Sequence, residues 1–326
     1  MCIRDSNRLD LRGAGRDLRG KLPRPAQAGE GPVAAVREIL AEVRERGDAA
    51  LADLTERFDG VRPASLAVSS DDAQAALADL DPELREALCA AAAGIRDFHE
   101  RQLQPDHTYE RDGIVIEGRQ VPVDRAGCYV PGGRAIYPST VLMTAIPAKV
   151  AGVGEVVLCV PPGPDGAVPA PTLAAAAIAG VDEIYAVGGA QAIGAMAYGT
   201  DTVQPVDVIV GPGNVYVALA KREVAGLVGV PSSFPGPSEV VVIADDTAPP
   251  ALAAVDVILQ AEHGPGGLAW LISWDEAALD AIDAEIAAQV AVAPRRTDIE
   301  STFAEGGYAV LVDSPAQAVA CLLYTS

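Results

Sequence analysis

The sequence predicts an α/β protein built on parallel sheets, and three observations carry that prediction. Apolar runs and helical patterns alternate from residue 155 onward. The runs are apolar throughout, as in Val156 to Val160, rather than alternating with polar residues. Strands of that kind are covered on both faces, which is the condition of a parallel sheet. The first 100 residues or so read as mostly helical.

Taken in order, Val33, Val36, Leu40 and Val43 recur at helical spacing and Gly47 ends that helix. Asp48 is placed to cap the next one, whose apolar face is Leu51, Leu54 and Phe58. Asp81-Pro82 combines a cap with proline at the first helical position. Leu84, Leu88, Ala91, Ile95 and Phe98 then mark one face of a long helix. Asp112-Gly113 is a hairpin signal. Strands are expected at 156–160, 184–187, 206–210, 240–244, 268–274 and 308–312, and helices at 171–179, 190–198, 214–224, 250–263 and from 275.

The chain has 326 residues, half of them hydrophobic, which suits two domains with their own cores. Its 24 basic and 45 acidic residues leave a net charge of -21. Such a surface repels polyanions, so no nucleic-acid partner is expected. No apolar run reaches the ~18 residues of a membrane span, and no membrane association is expected. The five cysteines, at 2, 89, 128, 159 and 321, form no CxxC pair, and a reduced, cytoplasmic setting is expected. Met1 to Ser6 and Cys321 to Ser326 match no pattern around them and read as foreign ends.

Ligands of open parallel sheets bind beyond the carboxyl ends of the strands. Three expected loops there are rich in Gly and Pro: 161–163, 188–191 and 211–214. The last two run into helices whose first N–H groups suit phosphate, and Gln191 and Asn214 add amides. Such loops are also what a tight strand-to-helix turn requires, but two in succession, each with an amide, favour a dinucleotide site. The GxGxxG fingerprint is absent. Tyr129, in a further glycine cluster, can stack on a planar ligand or simply pack. Gln260 and His263 share a helix face and can bind a metal, though two ligands do not make a site. A helix-end histidine satisfied by hydrogen bonds is the plainer reading. Cys128 and Cys159 admit a nucleophilic thiol; neither has an activating base beside it in sequence.

Six segments together resemble the histidinol dehydrogenases: Arg125 to Gly133, Tyr137 to Met143, Ala186 to Gln191, Gly211 to Asn214, Gly236 to Glu239 and Gln260 to His263. The resemblance runs over roughly 8–320 and implies NAD-dependent oxidation of L-histidinol through L-histidinal to L-histidine, with zinc. It implies NAD contacts from Tyr129, Gln191 and Asn214, substrate contacts from Ser238, Gln260 and His263, and Gln260 and His263 as two of four zinc ligands. It also implies two incomplete Rossmann-like, aldehyde-dehydrogenase-like domains, one inserted in the other. The expected boundaries are an N-terminal segment 1–32, a discontinuous first domain of 33–128 and 239–320, an inserted NAD domain 129–238, and a tail 321–326.

The family's Glu-His acid/base pair, its other two zinc ligands and a last helical segment that reaches a partner subunit would follow residue 320. The full-length enzyme is therefore expected to be a homodimer and this chain to lack a catalytic pair and turnover. The alternatives are a thiol-dependent aldehyde dehydrogenase-like enzyme, which needs Cys128 exposed in the cofactor cleft, and a non-catalytic cofactor-binding fragment.

Overall fold

The computed structural model describes residues 7–18, 20–23, 32–132, 136–231, 239–264 and 267–325. It divides into two compact units, 30–235 and 1–29 with 236–326.

In the 30–235 unit, α1 (Val33–Arg46) buries Val36, Ile39, Leu40 and Val43, and Gly47 (φ 55) ends it by donating its N–H to the Val43 carbonyl. Next, α2 (Asp48–Asp59) buries Leu51 and Leu54 and stops at Gly60, which is left-handed. Asp48 does not cap α2. Its carboxylate accepts instead from the Thr202 hydroxyl, a partner too remote in sequence for local reading to find. A short β2 (Ala67–Val68) leads to α3 (Ser70–Asp79), capped by Ser69, and α4 (Pro82–Glu100), capped by Asp81. Along α4 only the middle of the expected face is covered: Leu88 is buried while Phe98 is exposed. The hairpin of β3 (His107–Arg111) and β4 (Ile114–Gly118) turns at Asp112-Gly113 as expected.

The parallel core of this unit follows: β5 (Arg125–Tyr129), α5 (Pro138–Val150), β6 (Glu155–Val160), α6 (Ala170–Ala179), β7 (Glu183–Ala186), α7 (Gly189–Tyr198), β8 (Val208–Val210) and α8 (Val215–Val224). The sheet order is β2-β7-β6-β5-β8, parallel throughout except for β2 at the edge. Residues alternate between its faces. Val157 and Cys159 meet α1, α2, α7 and α8, while Val156, Leu158 and Val160 meet α3, α4, α5 and α6.

That packing moves a domain boundary. Residues 33–128 were expected with 239–320, yet they belong with 129–235. The apolar stripes of α1 and α2 close over α7 and α8, and β2 adds an antiparallel edge to β7. The stripes alone could not say which sheet they would cover.

The other unit holds β9 (Glu239–Ile243), α9 (Pro250–Ala261), β10 (Leu268–Ser273), α10 (Glu276–Val292), α11 (Arg296–Gly306), β11 (Gly307–Leu311) and α12 (Pro315–Thr325). Its parallel sheet, order β1-β11-β10-β9, takes β1 (Arg8–Asp10) from the segment expected to stand apart as 1–32. Trp270 is fully buried and stacks on Tyr308 at 4.3 Å between ring centroids. Cys321, set aside as part of the tail 321–326, packs without exposure in the same cluster as Trp270. A helical continuation that buries one side chain suffices for that.

Candidate functional site

The carboxyl ends of β5, β6, β7 and β8 open into a cleft of about 790 Å³ within the 30–235 unit. Tyr129, Gln191 and Asn214, distant in sequence, all line it, joined by Phe58 and Asp59 from α2 and by Pro161 and Gly163 after β6. The loops meet at close quarters. A Cβ on Gly188 would stand 2.6 Å from the Pro161 ring, and one on Gly211 (φ +107) would stand 2.0 Å from the Tyr129 carbonyl oxygen. These glycines therefore serve backbone approach first. Lys221, mostly buried, donates to the Gly211 carbonyl at 3.0 Å and ties that loop down.

The three expected cofactor residues differ in what they leave for a ligand. Tyr129 is buried, and its hydroxyl accepts the Gly189 N–H at 3.0 Å. Burial pushes its pKa up to about 12. Its ring belongs to the core rather than to an open stacking face, so the packed alternative holds and its contribution is to fix the start of α7. Asn214 caps α8, its Oδ1 accepting from the N–H groups of Tyr216 (3.0 Å) and Val217 (3.1 Å). Its NH2 group is the part left to donate. Both helix starts thus spend N–H groups internally, and the expectation of bare phosphate-binding termini is narrowed accordingly. Gln191 is 1% exposed, and neither its Oε1 nor its Nε2 has a partner. A buried amide with all its hydrogen bonds unmade is costly unless a ligand completes it.

Sequence reading missed Asp59. Its Oδ2 is buried without a partner, and burial raises its pKa. It is the one charged group among the described residues lining the cleft. Nothing local marks it, since it reads as the polar last residue of an amphipathic helix.

The thiols are placed against a nucleophilic role. Cys128 is fully buried, packs away from the cleft among α5 side chains, and has its pKa pushed up to about 11 by burial. Cys159 is likewise fully buried, with its pKa raised for the same reason. The thiol-dependent alternative required an exposed Cys128, and the fold withdraws it.

In the other unit, His263 is exposed just beyond α9 and its Nδ1 lies 3.0 Å from the Leu259 carbonyl oxygen. That contact calls for a proton on Nδ1. Gln260, one turn back, has a buried Nε2 without a partner. Among the described residues no group of three or more His, Cys, Asp or Glu could hold a metal. Ser238 lies outside the described residues. Glu239, at the start of β9, has a buried, unpartnered Oε2 and a pKa raised by burial.

Sheet, loops and cleft define an α/β protein with a cleft at the carboxyl ends of its parallel strands, where such folds carry their ligand sites. The chain belongs to the histidinol dehydrogenase family of oxidoreductases, whose model matches residues 22–322. It is 48% identical over 286 residues to the histidinol dehydrogenase of Geobacillus kaustophilus, covering 87% of this chain and 67% of that one. It is 49% identical over 289 residues to that of Synechococcus sp., covering 88% and 66%. The crystal structure of histidinol dehydrogenase from Elizabethkingia anophelis superposes with a TM-score of 0.89 at 34% identity, covering 96% of this chain and 72% of that one. The chain spans about two thirds of the length of these curated relatives.

Proposed function

We propose that this chain supplies the dinucleotide-binding part of an enzyme that oxidises L-histidinol, through L-histidinal, to L-histidine with NAD+. Within the family, the observation that carries the reading is the Gln191 amide, buried and unpartnered against the cleft. A bound dinucleotide offers it both a donor and an acceptor. Tyr129 holds the α7 start in place, and Asn214 turns its NH2 group to the cofactor while capping α8. NAD+ supplies the hydride acceptor.

On the substrate side Ser238, Gln260 and His263 are the proposed contacts, with Gln260 and His263 also ligating zinc. The His263 geometry fits such a role, because a backbone acceptor on Nδ1 fixes the tautomer whose Nε2 binds metal. Gln260 would contribute its amide oxygen. A homodimer is supported by the β3–β4 hairpin, where Tyr109, Ile114 and Ile116 share one face and are each more than half exposed. The free cysteines fit a reducing, cytoplasmic setting.

The test is calorimetric titration of the chain with NAD+, paired with NADH formation from L-histidinol, with and without zinc, in a protein carrying this chain at its relatives' full length. Saturable NAD+ binding that Gln191→Leu weakens, and zinc-dependent NADH formation, are the expected results. An intact fold that ignores NAD+ would refute the reading.

A further inference from the structure

The turn that delivers Asn214 to the cleft is anchored from outside it. Residues 211–213 follow β8, and Gly211 lies so close to the Tyr129 carbonyl that no Cβ would fit. Pro212 has no N–H to donate, and among the described residues no backbone hydrogen bond holds 211–213. The bond that does hold this turn comes from a side chain. Lys221, in the last turn of α8, donates its Nζ proton to the Gly211 carbonyl at 3.0 Å. It is 6% exposed and shares the buried face of α8 with Val217, Ala220 and Val224. Burial holds its pKa below the usual lysine range. The end of a helix favours a cation, but an exposed lysine would gain as much without losing water. A desolvated ammonium aimed at a loop carbonyl persists in a fold when something besides packing requires it.

Resting on the dinucleotide reading above, we infer that Lys221 is a positioning residue for the cofactor: its ammonium latches the 211–214 turn in the ligand-free protein and so sets the direction of the Asn214 NH2 group. Neither Lys221 nor Gly211 lines the cleft, whereas Asn214 does, so the effect passes through Asn214. The two ends of the turn are fixed by different means. At one end Asn214 is tied to α8 by its own cap, Oδ1 accepting from the N–H groups of Tyr216 and Val217. At the other end the Lys221 bond holds the Gly211 peptide. Without it, Gly211 and Gly213 leave the turn a wide choice of backbone conformations. Only a fraction of molecules would then present Asn214 in the binding geometry, and the apparent affinity falls by that fraction. The latch contributes by ordering the free protein and not by touching the ligand.

The experiment is calorimetric titration of the chain and its Lys221 variants with NAD+, joined to thermal midpoints and amide hydrogen exchange recorded without nucleotide. Lys221→Met keeps an apolar stem and removes the charge. It should weaken NAD+ binding about tenfold. Its nucleotide-free midpoint should stay within about 4 °C of wild type, because the desolvated charge leaves together with its hydrogen bond. Exchange should quicken at Gly213 and Asn214 and not in β5, β6 and β7. Lys221→Arg keeps a charged donor where a single hydrogen bond is needed, and should bind NAD+ within about threefold of wild type. In an Asn214→Ala background, Lys221→Met should weaken NAD+ by less than about twofold, since the group it positions is gone. The inference is overturned by unchanged affinity in Lys221→Met, by an equal loss in Lys221→Arg, or by a full loss that persists without Asn214. A lower midpoint with faster exchange throughout the sheet also overturns it, by making Lys221 a general stabiliser. If wild type binds no NAD+, the cofactor reading fails and takes the latch with it. Wild-type binding with any contrary variant result removes the latch alone.

Discussion

The two ends of the five-stranded sheet follow opposite rules. At the amino ends of the strands, charged groups are paired. Arg125 bonds Glu155 and reaches Glu183 at 2.5 Å, Glu183 accepts from the Tyr185 hydroxyl at 2.6 Å, and Asp207 accepts the Arg125 N–H at 2.8 Å. Lys149 meets Asp182 at 2.6 Å. At the carboxyl ends, Gln191 and Asp59 leave buried polar atoms without partners. The same sheet thus pairs the charged groups at one edge, Arg125 Nε excepted, and leaves Gln191 and Asp59 unpaired at the other. Unmade hydrogen bonds are tolerable where a ligand comes to make them, and the difference separates the stabilising end from the proposed binding end without reference to any motif.

The largest effect should come from the paired end. Arg125→Ala strands two carboxylates, and denaturant unfolding should show a loss of about 2–4 kcal/mol. The lower part of that range is expected, because Glu155 and Glu183 keep contact with water. An unchanged midpoint would erase the contrast. Gln191→Leu should behave in reverse. NAD+ affinity should drop by about 1–3 kcal/mol while the ligand-free protein holds or gains stability, since no hydrogen bond is lost with the amide. A fall in both would place Gln191 among the paired groups after all.

Asn214 sharpens the contrast, because it belongs to both kinds. Asn214→Ala should cost about 1 kcal/mol of stability through the lost cap as well as NAD+ affinity. Asn214→Ser keeps a capping oxygen and should lose affinity alone. Equal stability losses in the two variants would show that capping is not what Asn214 contributes.

The smallest effect is in pH. Hydrogen bonds from Arg125 hold the Glu183 carboxyl below the usual glutamate range. Its stabilisation is complete above the unfolded value of about 4.3 and disappears as pH falls through the lower folded value. Asp59 has the opposite sign. Burial raises its pKa, so stability decreases as pH climbs from the unfolded value of about 3.9 through the folded one. Thermal midpoints across the acid range should steepen their pH dependence in Asp59→Asn and flatten it in Arg125→Met. The reverse pattern would exchange the roles of the two ends.

By itself the sequence determined which segments become strands and helices and where most of them stop. Val156 to Val160, apolar throughout and set among helical patterns, reads as a strand covered on both faces. Asp81-Pro82 and Asn214 announce helix starts, and Gly47 announces an end. Those signals are local, resting on periodicity, capping and a glycine's freedom at positive φ. The resemblance motifs also singled out Tyr129, Gln191 and Asn214, which the fold brings to one cleft. Only the tertiary structure decided that α1 and α2 close over the 129–235 sheet, because an apolar stripe records that it must be covered and not by what. That choice carried Asp59 from an ordinary helix end into the cleft, engaged the Tyr129 hydroxyl with Gly189, and sealed Cys128 in the core. Each outcome depends on contacts between residues far apart in the chain, where no local pattern records the partner.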